Sequence, residues 1–370
     1  MAIRVLHIIG SLKLGGAQVC VKYLVENATV GKVETFVYPL RCQEIDIPID
    51  GNVITNKYKN YDIRKFFDIL KICRNNNIDI IHAHLEKPIL GSLLATFFCN
   101  AKVIIHEHGP VFRKGYRHTI YRSGLRLLRN RASAFIAVSN SAAKQLTTRV
   151  GVSPEQICVI NNAVDREKFT ANRQKRIDIR KQLSIKDSDI VIGFLGRLSS
   201  VKGVDTVINA MPDLLNRNPD YLFVIVGHGP ELDSLKALAR KLDVADRVKF
   251  LGFREDASEV MNSFDIGVVP SRQEPFGIVA LEFMSMQIPL VSTGVDGLGE
   301  LVSDRETAMV TEADNAEQIA ACIDLLTKDK QLSDRITSAA YEFSSKFGIP
   351  QYIRAVEEVY EKHFLRDRLI

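Results

Sequence analysis

Two glutamates stand eight positions apart in Glu274-Pro-Phe-Gly-Ile-Val-Ala-Leu-Glu282, around an apolar run that would otherwise read as plain core. Eight residues is slightly more than two helical turns. A helix that begins just after Pro275 and Gly277 therefore carries Glu282 along a buried side and leaves Glu274 in the loop before it. A carboxylate buried without a partner is costly, and ligand hydroxyls are one partner that would relieve it. The same helix would open with the free N–H groups of Phe276, Gly277 and Ile278, which suit a phosphate or another negatively polarised oxygen. Hydroxyls and phosphate on one ligand point to a sugar nucleotide.

Other residues of chemical interest recur at the ends of strand-like runs. Gly15-Gly16 follows the first of them, where absent side chains let the backbone approach a ligand. His82 and His84 end another in Ile81-His-Ala-His84, and no third ligand is in view to make them a metal site. His106 and His108, in His106-Glu-His-Gly109, point to one side by strand alternation. Gly196-Arg197 follows a further run and leads to Lys202-Gly203 at the start of a helix. Gly227-His-Gly-Pro-Glu231 reads as a tight turn into a helix. The glycines at 15 and 16 do not form G-x-G-x-x-G, and no acidic residue ends the second strand, so a dinucleotide site is disfavoured.

In this order the motifs resemble those of the retaining glycosyltransferases with the GT-B fold, in particular glycosyltransferase family 4, over nearly the whole chain. The resemblance implies two Rossmann-like doubly wound domains facing across a cleft, with a last helix that crosses back to the first domain. It implies residues 1–165 with about 350–370 as an acceptor-binding domain and 166–349 as a donor-binding domain. It gives Glu282 to the ribose hydroxyls, Glu274 to a donor-sugar hydroxyl, and Arg197 and Lys202 to the diphosphate. Gly16 and the N–H groups of Phe276, Gly277 and Ile278 join the donor site, while Gly15 and His84 face the acceptor. The active-site histidine best matches His108, with His106 as the alternative. Same-face attack in this fold leaves Glu274 without the role of nucleophile.

That assignment is chemically coherent. Negative charge grows on the β-phosphate as the glycosidic bond breaks, so two fixed cations stabilise the transition state more than the ground state. No metal and no cofactor are then expected, and the UDP- or GDP-linked sugar is a substrate. The implied reaction moves a sugar to a glycan or lipid-linked acceptor in cell-envelope or exopolysaccharide synthesis. A phosphorylase or epimerase of the same fold, or a catalytically silent sugar-nucleotide-binding subunit, are the other readings. The silent subunit fits less well because His108, Arg197, Lys202, Glu274 and Glu282 occur together.

These residues need a scaffold, and the apolar pattern supplies one. Strand-length runs at Ile3 to Ile9, Val33 to Val37, Ile78 to Ile81, Val103 to His106, Ala134 to Val138 and Cys158 to Ile160 alternate with helical patterns, which means parallel sheet. A polar, charged stretch from Asp165 to Lys186 reads as a linker. A second series follows at Val191 to Leu195, Leu222 to Val226, Val248 to Leu251, Ile266 to Val269 and Pro289 to Ser292. Ligands of such sheets bind outside the strand C-termini.

The 370 residues are comfortable for two α/β domains. No apolar run is long enough to span a bilayer, and the N-terminus lacks a signal-peptide layout, so a cytoplasmic protein is expected. Six cysteines without C-x-x-C or metal spacing read as reduced core thiols. Residues 1–170 hold 24 Lys and Arg against 13 Asp and Glu, and the remainder 25 against 31. The basic excess is densest from Arg113 to Arg131, where Arg122, Arg126 and Arg129 alternate with apolar residues. That segment reads as an amphipathic helix for an anionic membrane surface or an acidic glycan, or as a solvated helix on its own domain. Nucleic acid is not expected, because no binding motif is present.

Overall fold

Runs such as Ile190-Val-Ile-Gly-Phe-Leu195 and Tyr221-Leu-Phe-Val-Ile-Val226 are apolar throughout, so both faces of these strands need cover. In the computed structural model, which describes residues 2–13, 15–45, 47–58, 62–109 and 116–365, they lie in parallel sheets. The chain divides into two compact units, Met1–Ala163 with Ile349–Ile370, and Val164–Gly348.

The first unit contains strands β1 (Ile3–Leu12), β2 (Val33–Ile45), β3 (Asn52–Val53), β4 (Ile80–His84), β5 (Lys102–Glu107), β6 (Ala134–Ala137) and β7 (Ile157–Val159). Among the described residues they pair in the order β3-β2-β1-β4-β5-β6-β7, all in parallel. The register of β1, β4 and β5 matters most for the chemistry, because it sets His7 beside His82 and His84 beside His106. The helix Ile349–Leu365 belongs to this unit. It is tied down by Glu357, which is buried and accepts from the backbone N–H and hydroxyl of Thr29, both at 2.8 Å.

The second unit contains β8 (Ile190–Leu195), β9 (Tyr221–Val226), β10 (Val248–Gly252), β11 (Ile266–Val269), β12 (Leu290–Thr293) and β13 (Met309–Thr311), in the order β10-β9-β8-β11-β12-β13. This is the doubly wound order with its switch point between β8 and β11. Phe194, Met211, Phe223, Ile225, Ile323 and Ile336 fill its core with their side chains fully buried or nearly so.

The strand pattern anticipated both sheets but omitted the two-residue β3 and the three-residue β13, which are too short to show a period. The expected linker from Asp165 to Lys186 is a different matter. It holds the helix Arg173–Gln182, capped by the Asn172 side chain accepting from the Lys175 N–H. Its inward face buries Ile179 but is otherwise held by ionic contacts. Arg176 and Arg180 both reach Asp265, at 2.6 and 3.3 Å, and the buried Arg180 also donates to the carbonyls of Ser263, Lys186 and Asp189. A helix that packs through arginines has little hydrophobic periodicity, which is why it read as linker.

Candidate active site

In the second unit the loop after β8 and the loop after β11 converge. The short turn Ser200–Lys202 ends at Gly203, whose φ of +65° and close approach to the next loop admit only glycine: a Cβ there would lie 2.0 Å from the Pro270 carbonyl oxygen. This approach delivers Lys202 to Glu274, and the two side chains form an ion pair that is half-buried. Ser271 donates to the same carboxylate oxygen at 3.1 Å. Arg272 braces the loops by a two-pronged bond to Asp205, at 2.9 and 2.7 Å, and a bond to Asp314 at 2.6 Å. The Glu274 backbone is held as well: its carbonyl accepts from Gly297 at 3.1 Å, and its N–H donates to Asp296 at 3.2 Å.

The helix that carries the second glutamate runs Ile278–Ser285, with Gly277 as its N-cap at φ +101°. A Cβ at Gly277 would meet Leu298 at 2.7 Å. The N–H groups of Phe276, Gly277 and Ile278 have no acceptor among the described residues, as a helix start leaves them. Glu282 is half-buried rather than fully enclosed, and its carboxylate has no hydrogen-bond partner among the described residues. Desolvation raises it to about 7, against the pull of Lys168 nearby. Arg197 lies at the end of β8, exposed, and its guanidinium makes no ion pair among the described residues. Lys202, Ser271 and Glu274 are thus brought together, whereas exposed Arg197 and half-buried Glu282 keep their polar groups unspent among the described residues.

One Asp-x-Asp triplet, Asp187-Ser-Asp189, occurs at the opposite, N-terminal end of β8. It is structural: buried Asp189 accepts from the Lys186 N–H at 2.8 Å and pairs with Arg247 at 3.0 Å.

In the first unit β1, β4 and β5 bring together His7, His82, His84, His106 and His108. The first four are fully buried, and His108 is partly so. The rings stack in pairs; His106 and His108 lie 3.9 Å apart at 21°, on one side as alternation requires. A chain of contacts runs from His7 Nδ1 to His84 Nε2 at 3.1 Å and from His84 Nδ1 to His108 Nε2 at 3.0 Å. His82 Nδ1 meets the Tyr360 hydroxyl at 2.6 Å. Burial drives every one of these imidazoles toward the neutral form, His7 and His108 to about 3 and the others well below the usual range. Five ring nitrogens have no partner among the described residues: His7 Nε2, His82 Nε2, both of His106, and His108 Nδ1. Each such buried group costs roughly 1–3 kcal/mol. His7 escaped notice in the sequence, and so did the third histidine beside His82 and His84; the signal was the alternation of histidines on strands that only the register makes neighbours.

Between His106 and His108, Glu107 points the other way into the core, meeting the Tyr121 hydroxyl and the Gly109 N–H at 3.4 Å each, and desolvation raises it to about 8. Gly15 caps the helix Gly16–Glu26, at the C-terminal end of β1. A cavity of about 500 Å³ lined by Leu70, Cys73, Phe98, Cys99 and Phe364 lies at the other end of the sheet, where β4 and β5 begin, away from all these residues. All six cysteines are free thiols.

Of the basic segment, Arg113 and Lys114 lie outside the described residues; the helix runs Tyr116–Leu128 and continues as a short turn Arg129–Arg131. Tyr121 and Leu125 anchor it. Arg126 donates to the Arg149 carbonyl at 2.8 Å, Arg129 donates to the Arg126 carbonyl, and Arg122 is half-buried. Leu127 and Ile120 remain 82% and 52% exposed beside them. No helix among the described residues is long and apolar enough to cross a membrane.

Residues 175–343 match the model of the glycosyl transferases group 1, and residues 14–168 that of glycosyltransferase family 4. An uncharacterized glycosyltransferase of Methanocaldococcus jannaschii is 32% identical over 62% of this chain, and the chain spans only 55% of that relative. The UDP-Gal:alpha-D-GlcNAc-diphosphoundecaprenol alpha-1,3-galactosyltransferase of Escherichia coli is 24% identical over 81% of this chain and 79% of its own. The crystal structure of HepE from Anabaena, in complex with UDP, superposes with a TM-score of 0.85 at 24% identity, covering 97% of this chain and 100% of that one. Since the two family models together span residues 14–168 and 175–343, and the two parallel sheets have the matching fold, the chain belongs to the GT-B glycosyltransferases of group 1 and family 4.

Proposed function

We propose that the chain is a retaining, metal-independent hexosyltransferase that moves a sugar from a UDP- or GDP-linked donor to a glycan or lipid-linked acceptor of the cell envelope or an exopolysaccharide. The observation that carries this reading is Glu282, a half-buried carboxylate raised to about 7 with no hydrogen-bond partner among the described residues, on the helix whose N-terminus leaves three N–H groups open. Ribose hydroxyls donate to Glu282 and restore its charged form. The phosphates meet the N–H groups at Phe276, Gly277 and Ile278. Arg197, unpaired and exposed, turns onto the diphosphate, and Lys202 shares its charge between Glu274 and the leaving β-phosphate. Glu274, pinned by Ser271 and by its own backbone, takes a donor-sugar hydroxyl. In the first unit His108 offers a hydroxyl contact, and Gly15, Gly16 and His84 serve the acceptor and a donor phosphate.

The UDP and UDP-glucose complexes of HepE favour a uridine donor, and the diphosphoundecaprenol acceptor named for the Escherichia coli relative favours a lipid-linked one. An enzyme of the cytoplasm working at the inner membrane face fits both. The exposed Leu127 and Ile120 among arginines support that docking. The test is a panel of UDP-, GDP- and ADP-sugars scored by thermal shift and then by product formation in EDTA. A stabilising UDP-sugar whose turnover persists in the chelator, with the anomeric configuration kept in the product, is expected. Complete, reversible loss in EDTA or an inverted product overturns the corresponding part.

A further inference from the structure

The five clustered histidines of the first unit exceed what one hydroxyl contact requires. His84, His106 and His108 each offer a ring nitrogen, all within 4.8 Å of one another, and among the described residues this is one of two such groups, both built on His84. We propose that His84 Nδ1, His106 and His108 Nε2 form a binding site for one divalent transition-metal ion of the zinc class.

The geometry is close to what such an ion needs. His84 Nδ1 and His108 Nε2 stand 3.0 Å apart, while two bonds of about 2.0–2.1 Å at the tetrahedral angle set ligand nitrogens about 3.3 Å apart. An opening of a few tenths of an ångström between these two, with the His106 ring turned out of its 3.9 Å stack on His108 so that its lone pair faces them, admits the ion. His106 contributes a nitrogen that otherwise has no partner, in a side chain with no exposure. The tautomers agree as well. With the ion on Nδ1, His84 keeps its proton on Nε2 and donates it to His7 Nδ1 at 3.1 Å, so that His7 fixes the ring as outer partners of metal-bound histidines do. The ion enters from the side of His108, the one partly exposed member, where the fourth position stays open to water. The alternative group, His7, His82 and His84, is poorer, because all three members are fully buried and none offers an ion a way in.

The ion has no part in catalysis. If His108 contacts the reacting sugar, as proposed above, a bound ion withdraws it, and zinc inhibits an enzyme that a chelator leaves active; only that consequence rests on the functional reading.

The experiment is a calorimetric titration of the chelator-treated full chain with Zn²⁺, repeated with Co²⁺ to read tetrahedral coordination from its visible spectrum. One ion per chain is expected. His106→Phe, which keeps a ring in the stack, should abolish it. His7→Phe should weaken it by about 10–100-fold as removal of an orienting partner does, and His82→Phe should leave it unchanged. Thermal unfolding of each variant reports whether the fold is intact. No binding by the wild type, or binding that survives His106→Phe but not His82→Phe, overturns the assignment. Binding without inhibition of turnover would leave the metal site standing and remove His108 from the active site.

Discussion

The carboxylate loop of the second unit and the histidine cluster of the first are both sets of titratable groups at strand C-termini, yet they are held in opposite ways. The loop is held by charge. Lys202 is paired with Glu274, and Arg272 with Asp205 and Asp314, across positions that stay partly solvated. The cluster is held by burial, which leaves five imidazoles uncharged and bonded mainly to one another. A site that stabilises a departing diphosphate needs cations ready before the reaction, and only the first arrangement provides them. A site that binds hydroxyls or a soft cation needs neutral nitrogen lone pairs, which the second provides. The cations of one region should therefore dominate the chemical step, and the neutral groups should govern what is bound.

Breaking the charged side should have the largest effect. Lys202→Ala and Arg197→Ala are each expected to lower kcat/KM by about 10²-fold or more, the scale on which lost transition-state donors act. The two need not be equal, since Lys202 also neutralises Glu274 whereas Arg197 has no ion-pair partner among the described residues. Wild-type turnover in either variant, with an unchanged circular dichroism spectrum, would remove that residue from the chemistry.

The two regions also differ in how far a reader of the sequence could go. Glu274, Glu282, Arg197 and Lys202 are legible because short spacings in one loop or helix carry them, and Gly203 and Gly277 mark the turns that aim them. The histidines are not legible in that way. His7 and His82 are 75 positions apart and meet only through the β1–β4 register, which no local pattern encodes. The helix Arg173–Gln182 was lost for a related reason: its contacts are arginines to Asp265 some 85 residues on, so its packing leaves no apolar stripe. Sheets built from continuous apolar runs were easy to find, and their short edge strands were not.

A smaller effect sharpens the comparison at Glu282, the one carboxylate of the loop region that is governed by desolvation as the histidines are. Its proton is held up to about pH 7 in the free protein, whereas ribose hydroxyls need the ionised acceptor. Donor affinity should therefore rise as pH increases through about 7. Folding stability has the opposite slope: the raised value favours the folded state fully below the ordinary carboxylate range, and that contribution is lost as pH rises through about 7. Glu282→Gln should bind the nucleotide about tenfold more weakly at pH 8, the loss of one charge-assisted contact of roughly 1.4 kcal/mol, and should flatten both dependences. Isothermal titration from pH 6 to 8 reads the first and thermal unfolding the second. An affinity that falls with pH in the wild type would show that the protonated carboxyl is the binding form.

The smallest expected effect concerns the basic helix Tyr116–Leu128, where charge and burial are mixed. Arg126 and Arg129 spend part of their donor capacity on the carbonyls of Arg149 and Arg126, so they are oriented but not neutralised. Between them Leu127 stands almost fully in solvent. Each arginine near an anionic bilayer adds up to about 1 kcal/mol, and the attraction fades as added salt shortens the screening length below about 10 Å. The triple variant Arg122→Gln, Arg126→Gln and Arg129→Gln should therefore lose co-sedimentation with vesicles rich in anionic lipid. Leu127→Ser should weaken it less, and with little change in salt dependence. Nucleotide binding, which depends on the other unit, should be untouched in both. If the triple variant sediments as the wild type does, the arginines serve the internal carbonyls alone. The basic excess of the first 170 residues would then be better matched to an acidic, soluble acceptor, and a polyanionic glycan should compete where vesicles do not.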